Sequence, residues 1–285
     1  MSSFPGPLID VLSEDSYNAE HLPGAVNLCV YETAFLEKVR ENYPDLDTPL
    51  TVYGCSDDTQ EAELAVAKLN EAGYRNVENL LGGLKAWKAG GGHVEASEGN
   101  ASVPDGGLVV DTEASFIHWT GRNLFNFHHG SLKLGEGWLD VAGGKPAAGE
   151  LTVEMDSLAC TDLTDSTMNR MLIDHLRSAD FFLAEEYPVA IFRLQSAEEI
   201  TGVTNGSPNW RFKGELELRG ETKPLEFDAS VARNGDGNFV AQAMLDLDRT
   251  LWGSEYGSGK FFARLGQHVV NDLVHLHLKV VMREG

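Results

Sequence analysis

A single cysteine, Cys55, stands between a short apolar run at residues 50–54 and an amphipathic helical pattern at residues 59–73. A cysteine at the end of a strand and beside a helix N-terminus can be held as a thiolate, because backbone N–H groups there favour negative charge. A thiolate in that position is a nucleophile that can form a covalent intermediate. The first chemistry that the sequence indicates is therefore nucleophilic catalysis by Cys55.

The loop around Cys55 carries negative charge where a thiolate needs positive charge. The candidate active-site loop consists of Gly54, Ser56, Asp57, Asp58, Thr59 and Gln60 around Cys55, and Glu61 follows it. Repulsion by the neighbouring carboxylates disfavours the thiolate and also repels anionic sulfur donors. The spacing of Asp58 and Glu61 is that of a capping box, so we expect these carboxylates to cap the following helix.

The histidines do not form a pattern that indicates a metal site. His128 and His129 are adjacent, so on a strand they point to opposite faces. His275 and His277 share a face, but the intervening leucines mark the other face as the packed one, which favours a solvated outer strand. We expect no metal site and no required cofactor.

Composition narrows the choice of partners and of cellular compartment. Lys and Arg number 22 and Asp and Glu 44, which gives a net charge of −22 with no basic cluster. Nucleic acid and anionic membrane surfaces are therefore not expected as partners. The first residues lack a basic stretch followed by an apolar run, and no apolar segment has the length of a membrane span, so we expect a cytoplasmic protein without membrane insertion. The other two cysteines, Cys29 and Cys160, are expected to be small buried residues.

A change of hydrophobic period divides the chain. Residues 96–107 are small, polar and glycine-rich and are predicted to be a linker between domains at residues 1–95 and 108–285. In the first domain, strands predicted at 7–12, 23–28, 50–54 and 76–82 alternate with helices predicted at 31–42 and 59–73. This alternation predicts a small α/β domain with a parallel sheet.

In the second domain the period becomes two. Strands are predicted at residues 150–155, 210–218, 225–231, 238–248 and 272–281. Many antiparallel strands of this length predict a sandwich or a closed barrel. One helix interrupts them at residues 164–178, with Thr164 or Asp165 as its cap and an apolar stripe of Met168, Met171, Leu172 and Leu176.

Large apolar side chains of the second domain are candidates for a lipid-binding cavity. The set is Trp119, Phe192, Trp210, Phe212, Leu216, Phe227, Leu245 and Phe261. Such residues line a cavity in some barrels and fill the interior in others. Periodicity alone leaves both alternatives open.

The first domain resembles the rhodanese family. The resemblance is carried by residues 8–11 (LIDV), 21–27 (HLPGAVN), 52–53 (VY), 72–74 (AGY) and 81–84 (LGGL) with Trp87. It implies a persulfide-carrying cysteine cradled by loop amides and an arginine. This chain departs from that pattern, because Gln60 stands where an arginine is usual, Leu12 replaces another, and the family's cysteine position falls on Gly54.

The second domain resembles the YceI-like, polyisoprenoid-binding family. The resemblance is carried by residues 119–121 (WTG), 128–130 (HHG), 175–182 (HLRSADFF), 214–224 (GELELRGETKP), 248–253 (DRTLWG) and 256–259 (YGSG). It implies a lipocalin-like, eight-stranded antiparallel barrel with an elongated apolar cavity for a prenyl or acyl chain, often in a homodimer.

The predicted fold is therefore an α/β rhodanese-like parallel-sheet domain followed by an all-β, lipocalin-like barrel with one inserted helix. The predicted function is binding of a polyisoprenoid, an isoprenoid quinone or a fatty acyl chain in the barrel, with a catalytically degenerate rhodanese-like domain. The alternative is a sulfurtransferase that carries a persulfide on Cys55.

Overall fold

The computed structural model describes residues 4–96, 105–204, 206–234 and 237–285. The chain divides into two compact units, Met1–Ala101 and Ser102–Gly285. The predicted linker, 96–107, falls largely on residues 97–104, which lie outside the described residues. A strand begins at Gly106, two residues before the predicted start of the second domain at residue 108.

The N-terminal unit is a four-stranded parallel sheet with helices, in agreement with the predicted class. Its strands, in the sheet order β2-β1-β3-β4, are β1 (Leu8–Asp10), β2 (Val26–Asn27), β3 (Leu50–Tyr53) and β4 (Val77–Asn79). Its helices are α1 (Glu14–Ala19), α2 (Phe35–Asn42), α3 (Glu61–Glu71) and α4 (Gly83–Ala89). The predicted helices correspond to α2 and α3, whereas α1 and α4 are too short for a helical period to stand out in the sequence.

The two central strands explain where the core of this unit lies. All residues of β1 and β3 are buried, as expected for parallel strands covered on both faces. The loop that carries Cys55 begins directly after Tyr53 at the carboxyl end of β3. In open parallel sheets this is the edge where binding sites form.

The C-terminal unit is an antiparallel barrel. Its strands are β5 (Gly106–Val110), β6 (Phe116–Arg122), β7 (Phe127–Ala142), β8 (Lys145–Cys160), β9 (Val189–Glu199), β10 (Trp210–Leu218), β11 (Glu221–Arg233), β12 (Phe239–Asp248) and β13 (Leu273–Glu284). Helix α5 (Ser166–Arg177) joins β8 to β9. Two short 3-10 helices, Arg249–Trp252 and Gly266–His268, lie between β12 and β13.

The barrel closes because β13 pairs with β12 on one side and with β5 and β6 on the other. Both β5 and β6 also pair with β7, at opposite ends of that strand. These two short strands therefore share one place in a circuit of eight, and the predicted closed barrel is confirmed. Closure leaves no free sheet edge in the circuit.

The inserted helix begins where the sequence predicts. The Asp165 carboxylate accepts hydrogen bonds from the N–H groups of Thr167 and Met168, both at 2.9 Å, which satisfies two donors of the first turn. The predicted apolar stripe is only half right, because Met168 and Met171 are 54% and 62% exposed. The residues of α5 that pack on the barrel core are Leu172, Ile173 and Leu176.

Within the described ranges, no helix is both long enough and apolar enough to cross a membrane.

Candidate functional site

The barrel encloses a cavity of about 440 Å³. Alternate residues of its strands face inward, so each strand contributes every second side chain to the wall. On β12 these are Phe239, Ala241, Ala243, Leu245 and Leu247, and on β13 they are Val274, Leu276, Leu278, Val280 and Met282. The apolar residues that alternate with a period of two in the sequence thus form an almost continuous apolar wall.

Small inward residues leave room for this cavity. Ala229 of β11 and Ala243 of β12 are direct cross-strand partners, and both are buried. Beside them the rings of Phe212 and Phe227 stack with their centroids 5.7 Å apart. The cavity wall therefore has aromatic rings beside a pair of alanines. The small alanine side chains leave space that larger residues would fill.

Gly214 is required on the inner face of β10 by a close approach. A β-carbon at this position would lie 2.2 Å from the Arg193 carbonyl oxygen and 2.7 Å from the Phe192 ring. Glycine lets the Phe192 ring pack closely against the strand, where the ring forms part of the cavity wall.

The structure brings together six of the eight residues predicted to bind lipid. The residues that line the cavity are Trp119, Phe192, Phe212, Leu216, Phe227 and Leu245. Trp210 does not line the cavity. This residue begins β10 at one end of the barrel, where it packs beside Phe212. Phe261 is also outside the cavity, in the β12–β13 connection, and is 51% exposed.

One end of the cavity is polar. Asn123 and Asn126, from the turn between β6 and β7, and Tyr256 and Asn271, from the β12–β13 connection, all line the cavity. A backbone bridge between Asn123 and Val270 holds these two segments together. Among the described residues, several polar side chains of the cavity wall cluster at this end, which we call the polar rim. A ligand with an apolar body and a polar head would find partners for its head there.

Arg249 holds the polar rim together. Its side chain is almost fully buried, and its N–H groups donate to the backbone carbonyls of Asn271, Ser254 and Tyr256. The guanidinium also lies over the Phe181 ring, 5.2 Å from its centroid. Burial lowers the pKa of Arg249. Because its donors are directed to carbonyls, Arg249 is a structural cation rather than a ligand for an anion.

A cluster of three further side chains lies at the same end of the barrel. The ligating atoms of His128, Cys160 and Asp162 are all within 4.8 Å of one another. Burial opposes the charge on Asp162, but hydrogen bonds from the His129 N–H, His128 and Cys160 hold the pKa of Asp162 well below its ordinary value. Burial also raises the pKa of the Cys160 thiol, and the contact with Asp162 adds to this. Sequence reasoning missed this cluster, although Cys160 is buried as expected.

In the N-terminal unit, the Cys55 loop contains several internal hydrogen bonds. Cys55 is exposed at the end of β3. The Ser56 N–H donates to Thr59 Oγ1 at 3.3 Å, the Asp58 N–H to Ser56 Oγ at 3.2 Å, and the Thr59 N–H to the Ser56 carbonyl at 3.3 Å. Three amides of the candidate loop are thus engaged inside it and are not directed at a sulfur anion.

The acidic residues of this loop do not cap α3, so that prediction was wrong. The N-cap of α3 is Gln60, without a side-chain cap, and Glu61 is the first residue of the helix. Asp57 Oδ1 instead accepts the Gly82 N–H, at the start of α4, at 2.6 Å, and Asp58 pairs with Lys85 of α4 at 3.1 Å. The acids attach the loop to α4 because the fold places the start of α4 beside it.

A domain model for YceI-like domains matches residues 108–282, and one for rhodanese-like domains matches residues 2–90. The chain belongs to the YceI-like family. Its C-terminal part is 26% identical to Protein YceI of Escherichia coli over 141 residues, which are 49% of this chain and 68% of that protein.

Solved structures cover each unit separately. A polyisoprenoid binding domain from Saccharophagus degradans matches 62% of this chain and 98% of its own length, with 15% identity and a TM-score of 0.46. A rhodanese-like domain from Anabaena matches 34% of this chain and 97% of its own length, with 29% identity and a TM-score of 0.30.

Proposed function

We propose that the C-terminal barrel binds one extended apolar ligand, a polyisoprenoid, an isoprenoid quinone or a fatty acyl chain, and shields it from water. The observation that carries this proposal is the cavity of about 440 Å³ with its almost wholly apolar wall. Apolar pockets of this size with a few polar groups at one end are typical of small-molecule sites. The polar rim at Asn123, Asn126, Tyr256 and Asn271 favours a ligand with a polar head.

The apolar wall supplies enough free energy for tight binding. Burial of about ten methylene groups contributes roughly 8 kcal/mol, at about 0.8 kcal/mol for each group. Loss of ligand freedom offsets part of this gain. The net affinity then rises with chain length by at most roughly fourfold per methylene, until the cavity is full.

Binding is tested first by native mass spectrometry of protein purified without detergent, in which we expect a co-purified lipid. The delipidated protein is then titrated with a fatty-acid series of increasing length, with a polyprenyl alcohol and with an isoprenoid quinone. We expect affinity to increase with length and then to level off. Uptake of none of these ligands, or an affinity independent of chain length, would refute the proposal.

We further propose that the N-terminal unit does not transfer sulfur. The engaged loop amides and the acids Asp57 and Asp58 beside Cys55 support this proposal, since a persulfide anion needs donors and positive charge. A sulfurtransferase remains the second candidate, because Cys55 is exposed at the carboxyl end of a parallel strand. The two are separated by assays with thiosulfate and with persulfide donors on the wild type and on Cys55→Ser. Equal background rates agree with the proposal, and a rate that depends on Cys55 contradicts it.

A further inference from the structure

Strand pairing brings His128 together with Cys160 and Asp162, which lie more than thirty residues further along the chain. Cys160 ends β8 and is paired with Gly130 of β7, two residues after His128. Asp162 follows in the connection to α5, where its Oδ1 accepts the His129 N–H at 2.9 Å. The His128 and Asp162 side chains then meet, with 2.8 Å between Nδ1 and Oδ2.

The order of contacts argues against a nucleophilic cysteine. In a catalytic Cys–His pair the imidazole contacts the thiol and removes its proton. Here the carboxylate lies in the middle, since the Cys160 Sγ–H donates to Asp162 Oδ1 at 3.2 Å and His128 contacts Oδ2. A carboxylate next to the sulfur disfavours the thiolate, so this arrangement does not activate Cys160 for attack.

The same three groups fit another chemistry. Thiolate sulfur, imidazole nitrogen and carboxylate oxygen are the three ligand types that Zn²⁺ accepts in proteins, at about 2.0–2.3 Å each. Ligating atoms around a tetrahedral ion at those distances lie roughly 3–4 Å apart. The atoms of His128, Cys160 and Asp162 lie within 4.8 Å of one another, which small side-chain rotations bring into that range.

We propose that His128 Nδ1, Cys160 Sγ and a carboxylate oxygen of Asp162 bind a divalent transition-metal ion of the zinc type. Binding replaces the thiol proton by the metal–sulfur bond, and the proton leaves to solvent. Three protein ligands leave a fourth position for water or for another oxygen ligand. Because His128 also lines the cavity, the ion lies at the edge of the polar rim.

Contacts around the cluster hold the ligands in place. The backbone N–H of His129 fixes one oxygen of Asp162, and Asn169 Nδ2 donates to the carbonyls of Cys160 and Leu163, at 2.9 and 3.0 Å. Such outer contacts orient metal ligands before the metal arrives. Asp162 is about one-fifth exposed and His128 about one-third, so an ion can reach the site from solvent.

The proposal is tested by titration of the metal-free full chain with Co²⁺, which reports a bound thiolate by near-ultraviolet charge-transfer absorption. We expect this absorption to saturate at one equivalent and to be reversed by Zn²⁺. Cys160→Ser should abolish it, and His128→Gln or Asp162→Asn should weaken binding at least roughly tenfold, as expected for loss of a ligand.

Two matched controls separate this site from the neighbouring histidine and from the exposed thiol. His129→Gln should bind as the wild type does, because the His129 side chain contacts Thr161 and contributes only its backbone to the cluster. Cys55→Ser should also keep the absorption. Absence of the charge-transfer absorption in the wild type, or its persistence in Cys160→Ser, would overturn the proposal.

A measurement on the wild type covers the case in which Cys160→Ser does not fold. Zn²⁺ should slow alkylation of Cys160, located by peptide mass spectrometry, at least tenfold relative to Cys55 in the same sample. An unchanged ratio between the two cysteines at saturating Zn²⁺ would also overturn the proposal. Neither result depends on whether the cavity binds a lipid.

Discussion

Ala243 offers a direct test of the cavity. It faces inward on β12, opposite Ala229, at a place where the wall has space. Ala243→Phe puts an aromatic ring where the body of the ligand would lie. The next residue, Met244, faces outward and is 79% exposed, so Met244→Phe is a matched control on the same strand.

The expected loss of affinity follows from the area that the new ring occupies. A phenylalanine side chain buries about 150 Å², and the ligand loses a similar area of contact. At about 25 cal/mol per Å² this loss is about 4 kcal/mol. The dissociation constant should therefore rise roughly a thousandfold, since each 1.4 kcal/mol is a factor of about ten.

The free energy of unfolding distinguishes a cavity from a filled interior. In a cavity the ring enters open space, so the ligand-free variant should unfold at the wild-type temperature or above it. In a packed core the same insertion would cost about 1–3 kcal/mol. Binding is followed by displacement of a fluorescent fatty-acid probe and unfolding by circular dichroism. Wild-type affinity in Ala243→Phe, or an equal loss in Met244→Phe, would refute the reasoning.

Three further predictions concern residues that stabilise the two units. The fold holds the pKa of Asp162 below its ordinary value. The ionised Asp162 carboxylate therefore stabilises the folded barrel above about pH 4, and this stabilisation is lost as the pH falls further. The difference in unfolding temperature between the wild type and Asp162→Asn should be larger at pH 6 than at pH 3. Gly83→Ala should destabilise the N-terminal unit by about 1–3 kcal/mol, because Gly83 has a φ of +52° and an added β-carbon would lie 2.4 Å from the Gly54 carbonyl oxygen. An unchanged unfolding transition of the N-terminal unit would contradict this prediction. Arg249→Leu should destabilise the barrel by about 3 kcal/mol or more, because several buried carbonyls lose their hydrogen-bond donor. Denaturant unfolding of the barrel measures this loss of stability. An unfolding midpoint equal to that of the wild type would show that the carbonyls find other donors.

Local patterns predicted the elements of the fold. The period of two on β12 and β13 predicted which side chains face inward, because successive residues of any strand point to opposite faces. The aspartate before α5 predicted the start of that helix, because capping involves only the residues of the first turn. Polar residues of the barrel strands form ion pairs with one another, such as those of Arg193 with Glu150 and Glu217.

Predictions failed where a contact joins distant parts of the chain. The spacing of Asp58 and Glu61 predicted a cap on the helix that follows them. The fold instead brings the start of α4 to the loop, where Asp57 and Asp58 contact it. The sequence also assigned Met168 and Met171 to the packed face of α5, although helical spacing cannot say which part of a wide apolar stripe meets the barrel.

The sequence by itself determined two domains, their classes and the alternation of the barrel wall, because these depend on neighbours within a few residues. Only the tertiary structure decided that the wall encloses space, because this depends on the register at which Ala229 and Ala243 meet. Only strand pairing placed His128 beside Cys160 and Asp162, which follow it by more than thirty residues in the sequence. A sequence pattern records local periodicity, whereas a cavity or a cluster of ligands is created by closure of the barrel.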